Sequence, residues 1–219
     1  MNVQNFSAHR ELRQVALAGA SPTRSAHLLL WMGCVALLLS APLATQAQEM
    51  FMRIGGQAQP MGQTQTAPTL AGESLDSQYT NWIPVLSMSH GVSRPITFTG
   101  GTVTPNHTDV SLVKQLDKTT PSINLLVNGS VSGTGVTMPI DFVTIDFRTI
   151  GTTNVYYRME MQGVYLTSAQ IGAAGGTGMP AESVSLTYSR IRWSYVQYLG
   201  GKAQTPITKG WDLSKNGPY

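Results

Sequence analysis

Cysteine is nearly absent from this chain. The single thiol of its 219 residues, Cys34, lies in an apolar run near the N-terminus. Everything after residue 47 is therefore without a disulfide framework or a thiolate metal site. Charge is scarce as well, with Asp, Glu, Lys and Arg making up only 11% of the residues. The formal net charge is +3, and three of the arginines behind it, Arg10, Arg13 and Arg24, precede residue 48. The remainder carries 11 basic and 10 acidic residues, so it offers no basic field for a phosphate backbone, and no nucleic-acid partner is expected. Long apolar runs are missing too. The stretch 28–39 is too short to cross a bilayer comfortably, so no stable membrane insertion is expected once it is removed.

Catalytic and cofactor patterns are also lacking. Beyond residue 47 the only histidines are His90 and His107, and neither has a neighbour at metal-ligand spacing. No Gly-x-Ser-x-Gly elbow is present. The glycine runs Gly133-Thr134-Gly135 and Gly175-Gly176-Thr177-Gly178 lack the Lys-Ser/Thr ending of a phosphate-binding loop and read as turns. Asp141 and Asp146 lie five apart on one expected strand, so they point to opposite faces and cannot form an acid/base pair there. The expectation is a protein with no catalytic residues, no cofactor and no metal.

What is present falls into two parts. The basic N-terminus, the apolar stretch, Pro42 and the small residues Thr45 and Ala47 make a secretory signal peptide over residues 1–47, cleaved after Ala47. Two other readings of this segment are an uncleaved anchor and a true start at Met50. Cleavage leaves 172 residues, 48–219, enough for one domain with a sizeable core. That part is rich in Gly, Thr and Ser, which favours strands and turns.

Strands are expected at 48–54, 82–90, 110–116, 140–148, 154–166 and 182–195. One short helix is expected after Thr120, with Thr120 as cap, Pro121 in the first turn, Ile123, Leu125 and Leu126 on the apolar face, and Asn128-Gly129 as stop. Ser93 to His107 reads as a long excursion between strands, and such loops are commonly functional. Along 182–195 the apolar residues change face near Ser189-Arg190. Along 154–166 they do the same: Val155, Tyr157, Met159 and Met161 share one face, then Val164 and Leu166 take the other. Strands that bend from one sheet into another explain this switch. An alternative is that the second apolar patch faces a partner subunit, and both can hold. Tyr156, Tyr157, Trp193, Tyr195 and Tyr198 read as core and interface packing before they read as a sugar-binding face. Gly210-Trp211-Asp212-Leu213 reads as a short edge strand.

Several segments in order resemble the Hcp family of type VI secretion systems. They are Met50-Phe51-Met52-Arg53-Ile54-Gly55, Gly72-Glu73-Ser74, Val85 to Gly91, Ser111 to Pro121 with its Asp117-Lys118-Thr119-Thr120-Pro121, Glu182 to Tyr188, and Gly210-Trp211-Asp212-Leu213. The resemblance covers about Met50 to Asn216. It implies a mainly β fold: a small β-barrel of two packed antiparallel sheets with one short α-helix. It also implies a hexameric ring of the chain with itself, rings stacked into a tube, spike and sheath proteins as partners, and effector cargo. The excursion would then join protomers, with Gly100, Gly101 and Thr102 as candidate contacts. The signal peptide departs from the family pattern, because tube subunits ordinarily assemble in the cytoplasm. It points to a secreted or periplasmic protein, whereas a start at Met50 restores cytoplasmic assembly. The competing reading is an exported, monomeric β-barrel module that binds a ligand or glycan.

Overall fold

The computed structural model describes residues 47–56, 70–96, 103–129, 139–176 and 178–219. All of them belong to one compact unit, Gln46–Tyr219. The expected signal peptide lies outside the described residues, apart from Ala47. So do the loop 57–69, the run at Gly133 to Gly135, and Gly100, Gly101 and Thr102.

In chain order the strands are β1 (Gln48–Ile54), β2 (Ile83–Val85), β3 (Ser87–Ser89), β4 (Val92–Ser93), β5 (Asn106–His107) and β6 (Val110–Gln115). Helix α1 (Thr120–Val127) follows. Then come β7 (Ile140–Thr149), β8 (Val155–Gly172), β9 (Ala181–Thr187), β10 (Arg190–Tyr195), β11 (Tyr198–Leu199), β12 (Lys202–Ala203), β13 (Ile207–Asp212) and β14 (Gly217–Pro218). Every pairing is antiparallel. The main sheet runs β14-β13-β10-β8-β7-β1-β2, and β9, β6 and β3 branch from β8. The pairing also closes a circuit: β7 on β1, β1 on β2, through Leu86 into β3, then β6, β9, β8 and back to β7.

Strand alternation fills the core. Met50, Met52 and Ile54 of β1 meet Val143, Ile145 and Phe147 of β7 and Met159 and Met161 of β8. Val110, Leu112, Val184 and Leu186 close the cluster from β6 and β9. The residues between them point the other way. Phe51, Arg53, Thr144, Asp146, Arg148, Arg158 and Glu160 therefore share the opposite face of the main sheet, and all are buried. The segment 70–82 covers part of that face, with Tyr79 stacked on Phe51 at 4.3 Å and Trp82 edge-on to Tyr79.

The change of face in β8 has a visible cause. The strand pairs with β10 up to Gln162 and with β7 up to Val164, and from Tyr165 it pairs with β9. Gly163 lies between, at φ 59°, and a Cβ there would come within 2.3 Å of Ser189 Oγ. The Ser189 N–H and hydroxyl both donate to the Gln162 carbonyl, at 3.0 and 2.9 Å. The two bends are thus joined to each other.

Several expectations need correction. The strand expected over 182–195 is two strands, β9 and β10: both pair with β8, but at Ser189 the second neighbour changes from β6 to β13. The strand expected over 82–90 is likewise β2 on β1 and β3 on β6, broken at Leu86, whose N–H bonds Val113 at 2.7 Å. Val155 does not share a face with Tyr157: a register shift after Phe147 turns it to Phe51, Tyr79 and Trp82. Thr120 does not cap α1. Thr119 holds the cap position without a side-chain bond, because the buried ions described below bind both hydroxyls. The edge strand expected at Trp211 is β13, and it lies between β10 and β14.

Candidate functional site

The excursion from Ser93 is better tied than its composition suggests. Val92 and Ser93 pair with His107 and Asn106, so a short hairpin forms its base. Two histidines and a tyrosine hold that base to the end of β9. His90 Nε2 lies 2.6 Å and His107 Nδ1 2.9 Å from the Tyr188 hydroxyl. A phenol has one proton to give and lone pairs to accept with. One imidazole accepts that proton, and the other donates its own N–H to Oη. His107 also stacks on Trp193, with ring centroids 6.3 Å apart. Burial pushes both histidines below the usual imidazole value, and the neighbouring His107 lowers His90 further. Burial, then the Asp109 carboxylate, raises the Tyr188 phenol. The sequence placed His90 at the end of a strand and His107 at the end of the excursion, and gave no sign that they meet. Their convergence depends on Tyr188, 81 residues after His107.

This clasp has a definite pH dependence. Histidines with a depressed folded pKa take up protons less readily than the unfolded chain does. The stability they contribute is present above about pH 6.5 and is lost as the pH falls towards their folded values. The expected result is a lower denaturant midpoint at pH 5 than at pH 7.5, with a smaller drop in the His90→Gln/His107→Gln variant. An equal drop in both proteins would rule the clasp out as the cause.

A second centre joins two of the recurrent sequence segments. Lys114 is fully buried and donates to Asp117 at 2.8 Å, to the Thr120 hydroxyl at 3.2 Å and to the Gln115 carbonyl at 3.0 Å. It also lies 2.9 Å from the buried Glu182 carboxylate of β9. Thr120 donates to Glu182 at 2.7 Å, and Thr119 donates to Asp117 through its N–H and its hydroxyl. Burial works against the Asp117 charge, yet the hydrogen bonds from Lys114 and Thr119 hold its carboxyl below the ordinary range. The Lys118 N–H donates to Glu73 at 2.9 Å, which ties Gly72-Glu73-Ser74 to Asp117-Lys118-Thr119-Thr120-Pro121. Both segments are therefore parts of one joint between β6, β9 and α1.

The charged face of the main sheet carries a row of ion pairs. Arg158 grips Asp146 with two nitrogens, and Arg192 does the same to one oxygen of Glu160. Arg148 bridges Glu49 and Asp76, holding the Asp76 carboxyl below its usual range. Arg190 pairs with Asp212, whose carboxyl is held down to about 2 by the Ser214 hydroxyl, by Arg190 and by the Lys215 N–H. Among the described residues, no group of three or more His, Cys, Asp and Glu side chains is placed to hold a metal ion. No helix among them is long and apolar enough to cross a membrane.

The five aromatic residues singled out from the sequence do not form one surface. Tyr156 and Tyr157 pack against Phe147, and Tyr198 reaches the Val155 carbonyl. Tyr195 is exposed. Trp193 instead joins Trp211 and His107 along an open groove.

Residues 51–195 match the sequence profile of the family described as type VI secretion system effector, Hcp. No curated protein matches the sequence significantly. Among solved structures, a type six secretion system protein superposes with a TM-score of 0.64 at 22% identity, over 79% of this chain and 100% of its own. Hcp1 from Salmonella typhimurium gives 0.59 at 19% identity, over 79% and 99%. A type VI secretion system effector from Yersinia pestis gives 0.53 at 20%, over 74% and 98%. At such identities these likenesses establish the shared fold. The profile spans well over half the sequence, and the chain belongs to the Hcp family of type VI secretion system proteins.

Proposed function

We propose that the chain is a tube-forming subunit whose main partner is itself, assembled as a hexameric ring, with secretion-system spike and sheath proteins and effector cargo as further partners. The family match over residues 51–195 carries this reading. The surface supports it. A closed ring needs two different complementary patches on each protomer. Leu75 is 96% exposed, Ile96 76% and Ile207 66%, and they stand on separate segments of the fold. The excursion bounded by the hairpin of β4 and β5 would carry contacts between protomers, including Gly100, Gly101 and Thr102.

Residues 1–47 belong to the proposal as a cleaved export signal. An exported subunit would assemble outside the cytoplasm, unlike the usual tube protein. Intact mass of the protein recovered from the producing cell is expected to begin at Gln48. A chain that begins at Met1 or Met50 would remove the export step from the reading.

Light scattering of the natively purified protein after size exclusion is expected to give one species of about six protomer masses. A monomer at micromolar concentration would overturn the ring. The open groove at Trp193 favours a second reading, an exported monomeric binding module, and a monomer would leave that reading in place.

A further inference from the structure

The groove at Trp193 has a volume of about 570 Å³, within the range of small-molecule sites. It lies where the main sheet ends and the base of the excursion crosses it. Trp193 of β10 and Trp211 of β13 form one wall, with His107 stacked on Trp193. Val92 and Arg94 approach from the excursion, and Asn216 from the turn after β13.

Two features define what fits. The first is the two indoles and an imidazole, which present flat π surfaces to a planar ring. The second is charge. Arg94 is the only charged residue that lines the groove, it is exposed, and it makes no ion pair among the described residues. Lys209, the cross-strand partner of Trp193, adds a second cation on the same side of the sheet. Among the described residues, no carboxylate lines the groove.

We propose that this groove binds a small aromatic carboxylate. Its fused ring lies among Trp193, Trp211 and His107, and its carboxylate meets the Arg94 guanidinium. A guanidinium presents paired donors that match the two oxygens of a carboxylate, which favours that anion.

The probe is indole-3-acetate, titrated into the 15N-labelled full chain while the indole N–H resonances are followed. Trp193 and Trp211 are expected to shift along one saturating curve. Trp82, buried on the other face of the main sheet, is expected to stay in place and serves as an internal reference. Indole-3-acetamide, which lacks the charge, and the Arg94→Gln variant are each expected to bind about tenfold more weakly, the usual worth of a charge-assisted hydrogen bond. Arg94 is exposed, so this variant tests the contact without disturbing the core. The proposal fails if Trp193 and Trp211 do not shift, if Trp82 shifts equally, or if Arg94→Gln leaves the affinity unchanged. It also fails if a peptide ending in tryptophan binds more than tenfold tighter than indole-3-acetate, because the occupant would then be a chain terminus.

Discussion

Replacing Lys114 with methionine is expected to lower the unfolding free energy by about 3–5 kcal/mol, the usual cost of breaking a buried ion pair from one side. The Lys114 and Glu182 side chains are both fully buried, and their charges lie 2.9 Å apart. Removing the ammonium strands the Glu182 carboxylate, one oxygen of which, Oε1, already has no hydrogen-bond partner among the described residues. It also strips a donor from Asp117 and Thr120. The effect should be cooperative, because β6, β9 and α1 all meet at this lysine. Denaturant unfolding at pH 7 provides the measurement. Lys202→Met, on an exposed lysine, is the control and is expected to stay within about 0.5 kcal/mol of wild type. Adding Glu182→Gln to Lys114→Met should recover part of the loss, since the stranded charge goes with it. A loss below about 1 kcal/mol for Lys114→Met would mean that water reaches the site and the pair is not desolvated.

The second large effect is expected at Gly72. A Cβ built there would meet the Trp82 carbonyl oxygen at 2.3 Å and its carbon at 2.6 Å. Both are backbone atoms, so no side-chain rotation relieves the overlap. The Gly72 N–H donates to Asn81 and the Ser74 N–H to Trp82, so the segment is folded tightly on itself at this point. Gly72→Ala must push the segment apart and lift Tyr79 and Trp82 from the charged face, where Tyr79 donates to Asp146. Overpacking of this kind costs about 3 kcal/mol at the upper end of its usual range. Gly175→Ala, with open space around the new methyl, should change almost nothing. If the two variants unfold at the same denaturant concentration, the close approach at Gly72 is not a constraint on the fold.

The strands most readable from sequence were those whose alternation stays in step. β1, β6 and β7 fall within a residue of their expected bounds, since each keeps one apolar face against one core. The longer stretches were read as single elements because period-two patterning registers a bend only as a change of face. It cannot say whether the chain stays on the same neighbour. At Ser189 it keeps β8 on one side and exchanges β6 for β13 on the other, so β9 and β10 are separate strands. Thr120 was misread for a related reason. Its position before a helix suits a cap, but its hydroxyl is committed to Glu182, 62 residues away.

Taken alone, the sequence determined the class of the fold, the place of the helix and the family, because these follow from local alternation, turn residues and the order of short segments. Which charges meet in the interior was decided only by the tertiary structure. Nothing in the spacing of Glu73 and Lys118, or of Lys114 and Glu182, brings them together. The same holds for the clasp of His90, His107 and Tyr188 and for the groove between Trp193 and Trp211. Periodicity is a property of one strand, whereas these sites depend on the register between strands. That register was set by the bends at Leu86, Gly163 and Ser189, where the chain passes from one partner to the next.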